Sequence, residues 1–182
     1  YLIKTDALGD LVWQKTFGGG NDEKGWSVHQ IADGGYIITG WTGSLGRGNT
    51  DVYLIKLDSQ GNLDLGWPVN PKTFGGNQYD AAYSVQQTSN GGYIVSGVTY
   101  SFGTGDGDAY LIKLDSQGNL DPTWSINPKT FGGNKYDGVF SVQQTSDGGY
   151  VFTGGTCSFG AGDMDAYLIK TDALGDLVWQ KT

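Results

Sequence analysis

The chain has 182 residues, 32 of them glycine and only four proline; without a Gly-X-Y period this excludes a collagen-like helix, and aromatic residues at 13% exclude a disordered polymer. The 19 acidic against 11 basic side chains, a net charge of −8, leave no basic footprint for nucleic acid and no attraction to an anionic membrane surface. A single cysteine, Cys157, excludes an internal disulfide framework and a multi-cysteine metal site, and no apolar run approaches the roughly 18 residues of a membrane-spanning helix.

Glu23 is the only glutamate; every other acid is aspartate, which bonds turn backbone where glutamate favours helix. The string Tyr-Leu-Ile-Lys recurs at Tyr1, Tyr53, Tyr110 and Tyr167, so the chain divides into repeats 1–52, 53–109 and 110–166 and a partial repeat 167–182 within a single repeat domain spanning 1–182. Lys-Thr-Phe-Gly-Gly at Lys15, Lys72 and Lys129 and Gly-Gly-Tyr at Gly34, Gly91 and Gly148 keep the same period. The first repeat is five residues shorter than the others, in the stretch where Leu63–Pro71 and Leu120–Pro128 carry proline and Leu11–Gln14 runs direct.

Each repeat reads as four strands in order. The first is Val52–Leu57, closed by the turn Asp58–Asn62; the second runs over Pro71–Phe74, or Val12–Phe17 in the first repeat. The third is Ala82–Thr88, followed by the Asn90-Gly91-Gly92 turn, and the fourth is Tyr93–Thr99. Asn-Gly and Asp-Gly between β-branched and aromatic flanks predict tight hairpins with positive φ. Strands one and four are apolar on both faces, as sheets stacked between sheets require. The expected fold is all-β: a β-propeller of four-stranded antiparallel blades, with about three blades plus a half-blade in this chain.

The run Asp108–Thr156, with its Asp-Ala strand, "KLDSQGNL", "FGG" and Asp-Gly-Gly-Tyr hairpin, resembles the SBBP-type, Kelch-like β-propeller repeat, and the resemblance extends over essentially the whole chain. It implies an extracellular or cell-surface prokaryotic propeller and brings no catalytic residues with it. Three blades are too few for a closed ring, since propellers have four to eight. Residues Tyr167–Thr182 repeat Tyr1–Thr16 without a change. Two readings of this duplication stand: the chain is a piece of a longer chain built from three-blade blocks, or the half-blade docks on a neighbouring chain through unpaired strands. On the second reading Tyr1, Trp13, Thr16, Tyr167, Trp179 and Thr182 are self-association residues, and deleting Tyr167–Thr182 weakens assembly.

Three glycine loops suggest calcium: Asn49 and Asp51, Asp106 and Asp108, and Asp163 and Asp165 place hard oxygens two residues apart. The competing reading is that Asp51, Asp108 and Asp165 accept backbone N–H bonds and lock the turns; it is favoured, because no bidentate glutamate completes an EF-hand pattern. Asp6, Asp58, Asp115 and Asp172 open hairpin turns in the same way. Aromatics near the Gly-Gly doublets, Trp26, Tyr79 and Tyr136, are candidate ligand residues able to stack on sugars, though packing between blades is their commoner role. The lone His29 stands where Gln86 and Gln143 do, so no Ser-His-Asp set forms from it, and no phosphate loop is present. The expectation is a non-enzymatic structural or interaction module without cofactor, whose partner is itself; the alternative is a carbohydrate-binding propeller with equivalent glycan sites on each blade.

Overall fold

In a computed structural model describing residues 1–182, the chain is all-β, with fourteen strands and no helix. A two-stranded hairpin, β1 (Leu2–Thr5) and β2 (Leu11–Lys15), is followed by three four-stranded antiparallel sheets. The first sheet is β3 (Glu23–Gln30), β4 (Tyr36–Thr42), β5 (Asp51–Leu57) and β6 (Lys72–Phe74). The second is β7 (Asp80–Gln87), β8 (Tyr93–Thr99), β9 (Asp108–Leu114) and β10 (Lys129–Phe131); the third is β11 (Asp137–Gln144), β12 (Tyr150–Thr156), β13 (Asp165–Thr171) and β14 (Leu177–Lys181).

Strands follow one another as neighbours within each sheet, but the sheets are half a unit out of phase with the sequence repeats. A sheet begins at the strand read as third and ends on the strand read as second in the next repeat. The half-sheet is therefore the N-terminal copy, Leu2–Lys15, and not Tyr167–Thr182. The C-terminal copy completes the third sheet, with Phe152 opposite Ile169 and Thr153 opposite Leu168. A repeat drawn from Tyr-Leu-Ile-Lys cuts each sheet in the middle, because that strand pairs on both sides. Strand limits also move: the third strand of the second repeat begins at Asp80 rather than Ala82, and the outer strand shrinks to Lys72–Phe74.

Turn chemistry fixes the hairpins. Asp58 Oδ1 accepts the Gln60 and Asn62 amides at 2.9 and 2.8 Å, and Gly61 takes φ +77°. Asp6, Asp115 and Asp172 close their turns by the same pair of bonds. Only glycines carry the positive φ; Asn90 stays at negative φ and accepts the Thr88 hydroxyl at 2.6 Å.

The sheets stack face to face. Ile37, Val52 and Leu54 on the front of the first sheet pack on Val85, Val95, Tyr110 and Ile112 on the rear of the second. Ile94, Ala109 and Leu111 repeat that contact against Val142, Phe152, Tyr167 and Ile169 of the third. This double coverage is why β8 and β9 are buried along their entire lengths. β3, β7 and β11 lie side by side along one rim of the stack, and the short β6 and β10 form the opposite rim.

A tryptophan clamps each junction. Trp67 meets Tyr93 of the next sheet edge-on at 5.7 Å, Trp124 meets Tyr150 at 5.8 Å, and both lie in the proline-containing insertions. Trp13 performs the same contact with Tyr36 at 5.7 Å from the strand itself. The shorter first repeat thus reaches the same end without the insertion.

Candidate functional site

Three features outside the ordinary core distinguish this molecule: carboxylates buried at the junctions, two groups of aromatic side chains, and uncovered sheet surfaces at the two ends of the stack.

At each junction between four-stranded sheets the aspartate that opens the third strand of one sheet and the aspartate that opens the first strand of the next flank a glycine. A Cβ on Gly75 would lie 2.2 Å from Asp51 Oδ1 and 2.8 Å from Asp80 Oδ2; on Gly132 it would lie 2.3 Å from Asp108 Oδ1 and 2.8 Å from Asp137 Oδ2. All four aspartates are buried. Asp80 and Asp137 are each held by three donors: the Thr99 and Thr156 hydroxyls on Oδ1, then Ser101 and Ser158 at 2.6 Å and the Gly76 and Gly133 amides at 2.8 Å on Oδ2. Burial, with the Asp137 charge adding to it, pushes the Asp108 carboxyl up to about 6. Glu23 occupies the corresponding place in the first sheet, accepting Thr42 Oγ1 at 2.8 Å and the Gly19 amide at 2.9 Å.

The residues weighed for calcium fall apart as a ligand set. Asp51 Oδ2 accepts the Arg47 and Gly48 amides at 2.9 and 3.0 Å, Asp165 Oδ2 accepts Ala161 and Gly162 at 2.9 and 3.1 Å, and Asp108 accepts Thr104. Asn49, Asp106 and Asp163 are exposed on the loop while their partners turn inward. No group of three or more His, Cys, Asp and Glu side chains gathers in a way that could hold a metal ion. The geometry is that of turn-locking aspartates.

Of the aromatic candidates, Tyr79 and Tyr136 come together; Trp26 does not join them. Tyr79 and Tyr136 flank Tyr100, at 5.8 and 6.4 Å between ring centroids, and with Tyr83 and Val98 they line an open hollow of about 340 Å³. Trp26 sits within β3, not in a loop, at a β-bulge between Gly25 and Ser27. Tyr83 and Phe140 occupy the matching bulges of β7 and β11. The three rings form a row, 5.7 and 5.3 Å apart, because the bulge re-aims one side chain per strand. Tyr83, Tyr100 and Phe140 escaped the reading of the sequence. Aromatics at one position of "EKGWSVHQ", "DAAYSVQQ" and "DGVFSVQQ" were the available signal, but nothing in them announces a bulge. His29 is exposed on β3, and Cys157 is a free, half-buried thiol.

The ends of the stack are uneven. On the rear of the first sheet Val28 is 53% exposed, whereas its counterparts Val85 and Val142 are 4% and 7% exposed. On the front of the third sheet Leu168 is 38% exposed, against 0% for Leu54 and Leu111. The β1–β2 hairpin covers only the outer half of that rear face, with Leu2 and Phe17 against Ile38, Tyr53 and Ile55. Beside it a cavity of about 240 Å³ is walled by Leu2, Val28, Ile38 and Ile55. The edge of β1 away from β2 has no strand partner.

The self-association candidates divide accordingly. Tyr1, Trp13 and Thr16 belong to the half-sheet with the open edge. Tyr167 is buried in the third sheet and Trp179 lies on its outer strand, 37% exposed, so the expectation of an unpaired C-terminal half-blade is corrected: β13 has a partner on each side. The two 16-residue copies fold identically. Tyr1 and Tyr167 donate to Gln14 and Gln180 at 2.7 and 2.8 Å, and Lys4 and Lys170 face Trp13 and Trp179 across the ladders.

No protein-family model matches the chain, and no curated protein is similar to it.

Proposed function

We propose that this chain is a non-enzymatic structural module, an arc of a β-propeller that associates with copies of itself through its sheet faces and terminal strands. The observation that carries this reading is the contrast within one stack. Internal faces are covered to within a few per cent, while Val28 and Leu168 at equivalent positions on the two end faces stand at 53% and 38% exposure. Apolar sheet faces with an adjoining open strand edge are surfaces that favour association. An extracellular or cell-surface setting belongs to the same reading, supported by the aspartate-rich surface and by the likeness to SBBP-type, Kelch-like repeats. The test is light scattering coupled to size-exclusion chromatography, with electron microscopy of the same fractions. A closed oligomer or filament is expected; a 19.4 kDa species at every concentration overturns the reading.

The tyrosine hollow favours a second reading, glycan binding. Three partly open phenol rings around one concavity suit the apolar face of a sugar. Asp22 and Gly43 replace Tyr79 and Tyr100 in the first sheet, so this site occurs once per chain and not once per sheet. Oligosaccharide titration followed by intrinsic fluorescence, repeated with Tyr100→Ala, decides it. Saturation at one site per chain, lost in the variant, is the expected result; no response to any glycan, with or without calcium, removes the reading.

A further inference from the structure

The rear face of the first sheet and the front face of the third are the two halves of a junction that the molecule already makes twice. By register, Val151, Ala166 and Leu168 on the third sheet correspond to Ile94, Ala109 and Leu111 on the second. The surface those residues would cover, Val28, Ile38, Tyr53 and Ile55, corresponds to Val85, Val95, Tyr110 and Ile112. The third sheet of one copy therefore fits the first sheet of another. Trp179 is placed to clamp Tyr36 of the second copy as Trp13 clamps it within the chain, and Phe140 to meet the second copy's Trp26 as Tyr83 does.

One obstacle stands in the way. The outer half of that rear face is already occupied by β1–β2, which has the same sixteen residues and the same internal register as β13–β14. Sheet and hairpin cannot both sit there. A seam needs a single outer hairpin, and two copies bring two candidates to it.

We propose that two copies of this 182-residue chain close head to tail into one six-sheet ring, and that at each seam the identical hairpins β1–β2 and β13–β14 compete for one place, the loser being released. This rests on the self-association reading above and names its partner and geometry. Three sheets per chain give six for two copies, within the four to eight of known propellers, whereas three copies would give nine. The contact is heterologous, and such contacts end in rings when the rotation closes. With β13–β14 in the shared place, the seam keeps the hairpin's pairing on β12 and its stacking on the first and second sheets, and adds the β11–β12 pair over the 240 Å³ cavity.

The consequence at the N-terminal hairpin is opposite in sign to the weakening expected on deleting Tyr167–Thr182. Deleting Tyr1–Thr16 leaves three complete sheets and bares the whole rear face, so this variant should dimerise at least about tenfold more tightly than the full chain, and without a hairpin having to open first. Trp179→Ala in the truncated chain should return it toward monomer. A second measurement traps the seam in the full chain. Thr50 and Tyr79 form a parallel bridge between sheets, and the matching seam positions are Met164 and Asp22 of the other copy. Met164→Cys with Asp22→Cys, in a Cys157→Ser background, should give a disulfide-linked pair under mild oxidation, since neighbouring strands lie within disulfide reach. A monomeric truncated chain beside a self-associating full chain overturns the ring and leaves the broader reading standing. Open-ended polymers of the truncated chain also overturn closure. If both chains are monomeric at all concentrations, both readings fall.

Discussion

Trp124→Ala tests whether the tryptophan clamps hold the sheets in register. The indole is 3% exposed and meets Tyr150 edge-on at 5.8 Å. Its Nε1 donates to the Ala173 carbonyl at 3.0 Å, and its ring lies over Gly175, whose Cβ would fall 2.7 Å from ring carbons. Truncating a buried tryptophan costs about 3–5 kcal/mol; the aromatic pair supplies roughly 0.5–1.5 and the hydrogen bond about 1 of that. For a chain of this size, a change of that order lowers the thermal midpoint by about 6–20 °C. Circular dichroism melts of Trp124→Ala and Trp179→Ala, at concentrations where the chain is monomeric, give the comparison, because within a single chain Trp179 on the outer strand has no following sheet to clamp and should cost about 1 kcal/mol or less. Hydrogen exchange should place the loss at the junction of the second and third sheets, since stacked repeats are stabilised by their neighbours. Equal shifts in the two variants would refute the clamp.

The junction carboxylates and loops give four further expectations. Asp108 binds its proton more tightly when folded, its carboxyl raised from the ordinary value to about 6, so its contribution is full below pH 4 and lost as pH rises through 6. Urea midpoints should decline between pH 4 and 7 in the parent and lose that component in Asp108→Asn, and parallel profiles would contradict the assignment. Asp64 and Asp147 work oppositely: hydrogen bonds from Lys56 and Thr145 respectively hold them below the ordinary range, so their stabilisation is full above about pH 4 and is lost as pH falls below it. Thr156→Val removes the hydroxyl that donates to buried Asp137 and should cost about 1–3 kcal/mol, whereas Thr171→Val, whose buried hydroxyl has no partner, should cost far less in the same melt. Gly103→Ala should exceed the roughly 1–2 kcal/mol of a left-handed alanine, because its Cβ would meet Asp108 Oδ2 at 2.3 Å; Gly91→Ala, with φ +83° and open space, should show the backbone cost alone.

The hairpins were legible because their signals are local. Asp58, Gly61 and the Asn90-Gly91-Gly92 turn declare themselves within five residues, and apolar residues on both faces of Tyr93–Thr99 mark a strand covered on both sides. The turn-locking role of Asp51 and Asp165 was legible for the same reason. What stayed hidden depends on distant partners. Asp80 and Asp137 look like ordinary loop residues ahead of the third strand until the preceding sheet brings Asp51 and Asp108 beside them. Trp67 and Trp124 sit in insertions that differ from the direct run holding Trp13, and only stacking shows that all three perform one contact. Bulges at Trp26, Tyr83 and Phe140 arise from ladder pairing, which a single strand's sequence does not encode.

The phase of the sheets is the clearest case. A chain of antiparallel strands in a constant cycle has no intrinsic starting point, and any of four origins describes the repeat equally well. The choice is made by the connection that fails to become a hairpin. Phe74 to Asp80 runs from the outer strand of one sheet to the inner strand of the next, and a β-bridge between Thr50 and Tyr79 ties that crossing to the preceding loop. The duplicated segment then separates what sequence decides from what neighbours decide. Tyr1 and Tyr167 begin the same sixteen residues and make the same bond to glutamine, yet one is 77% exposed and the other 0%. The hairpin is written in its own residues. Its burial is conferred by β12 and the second sheet, a cover that β1, paired with β2 alone, does not share.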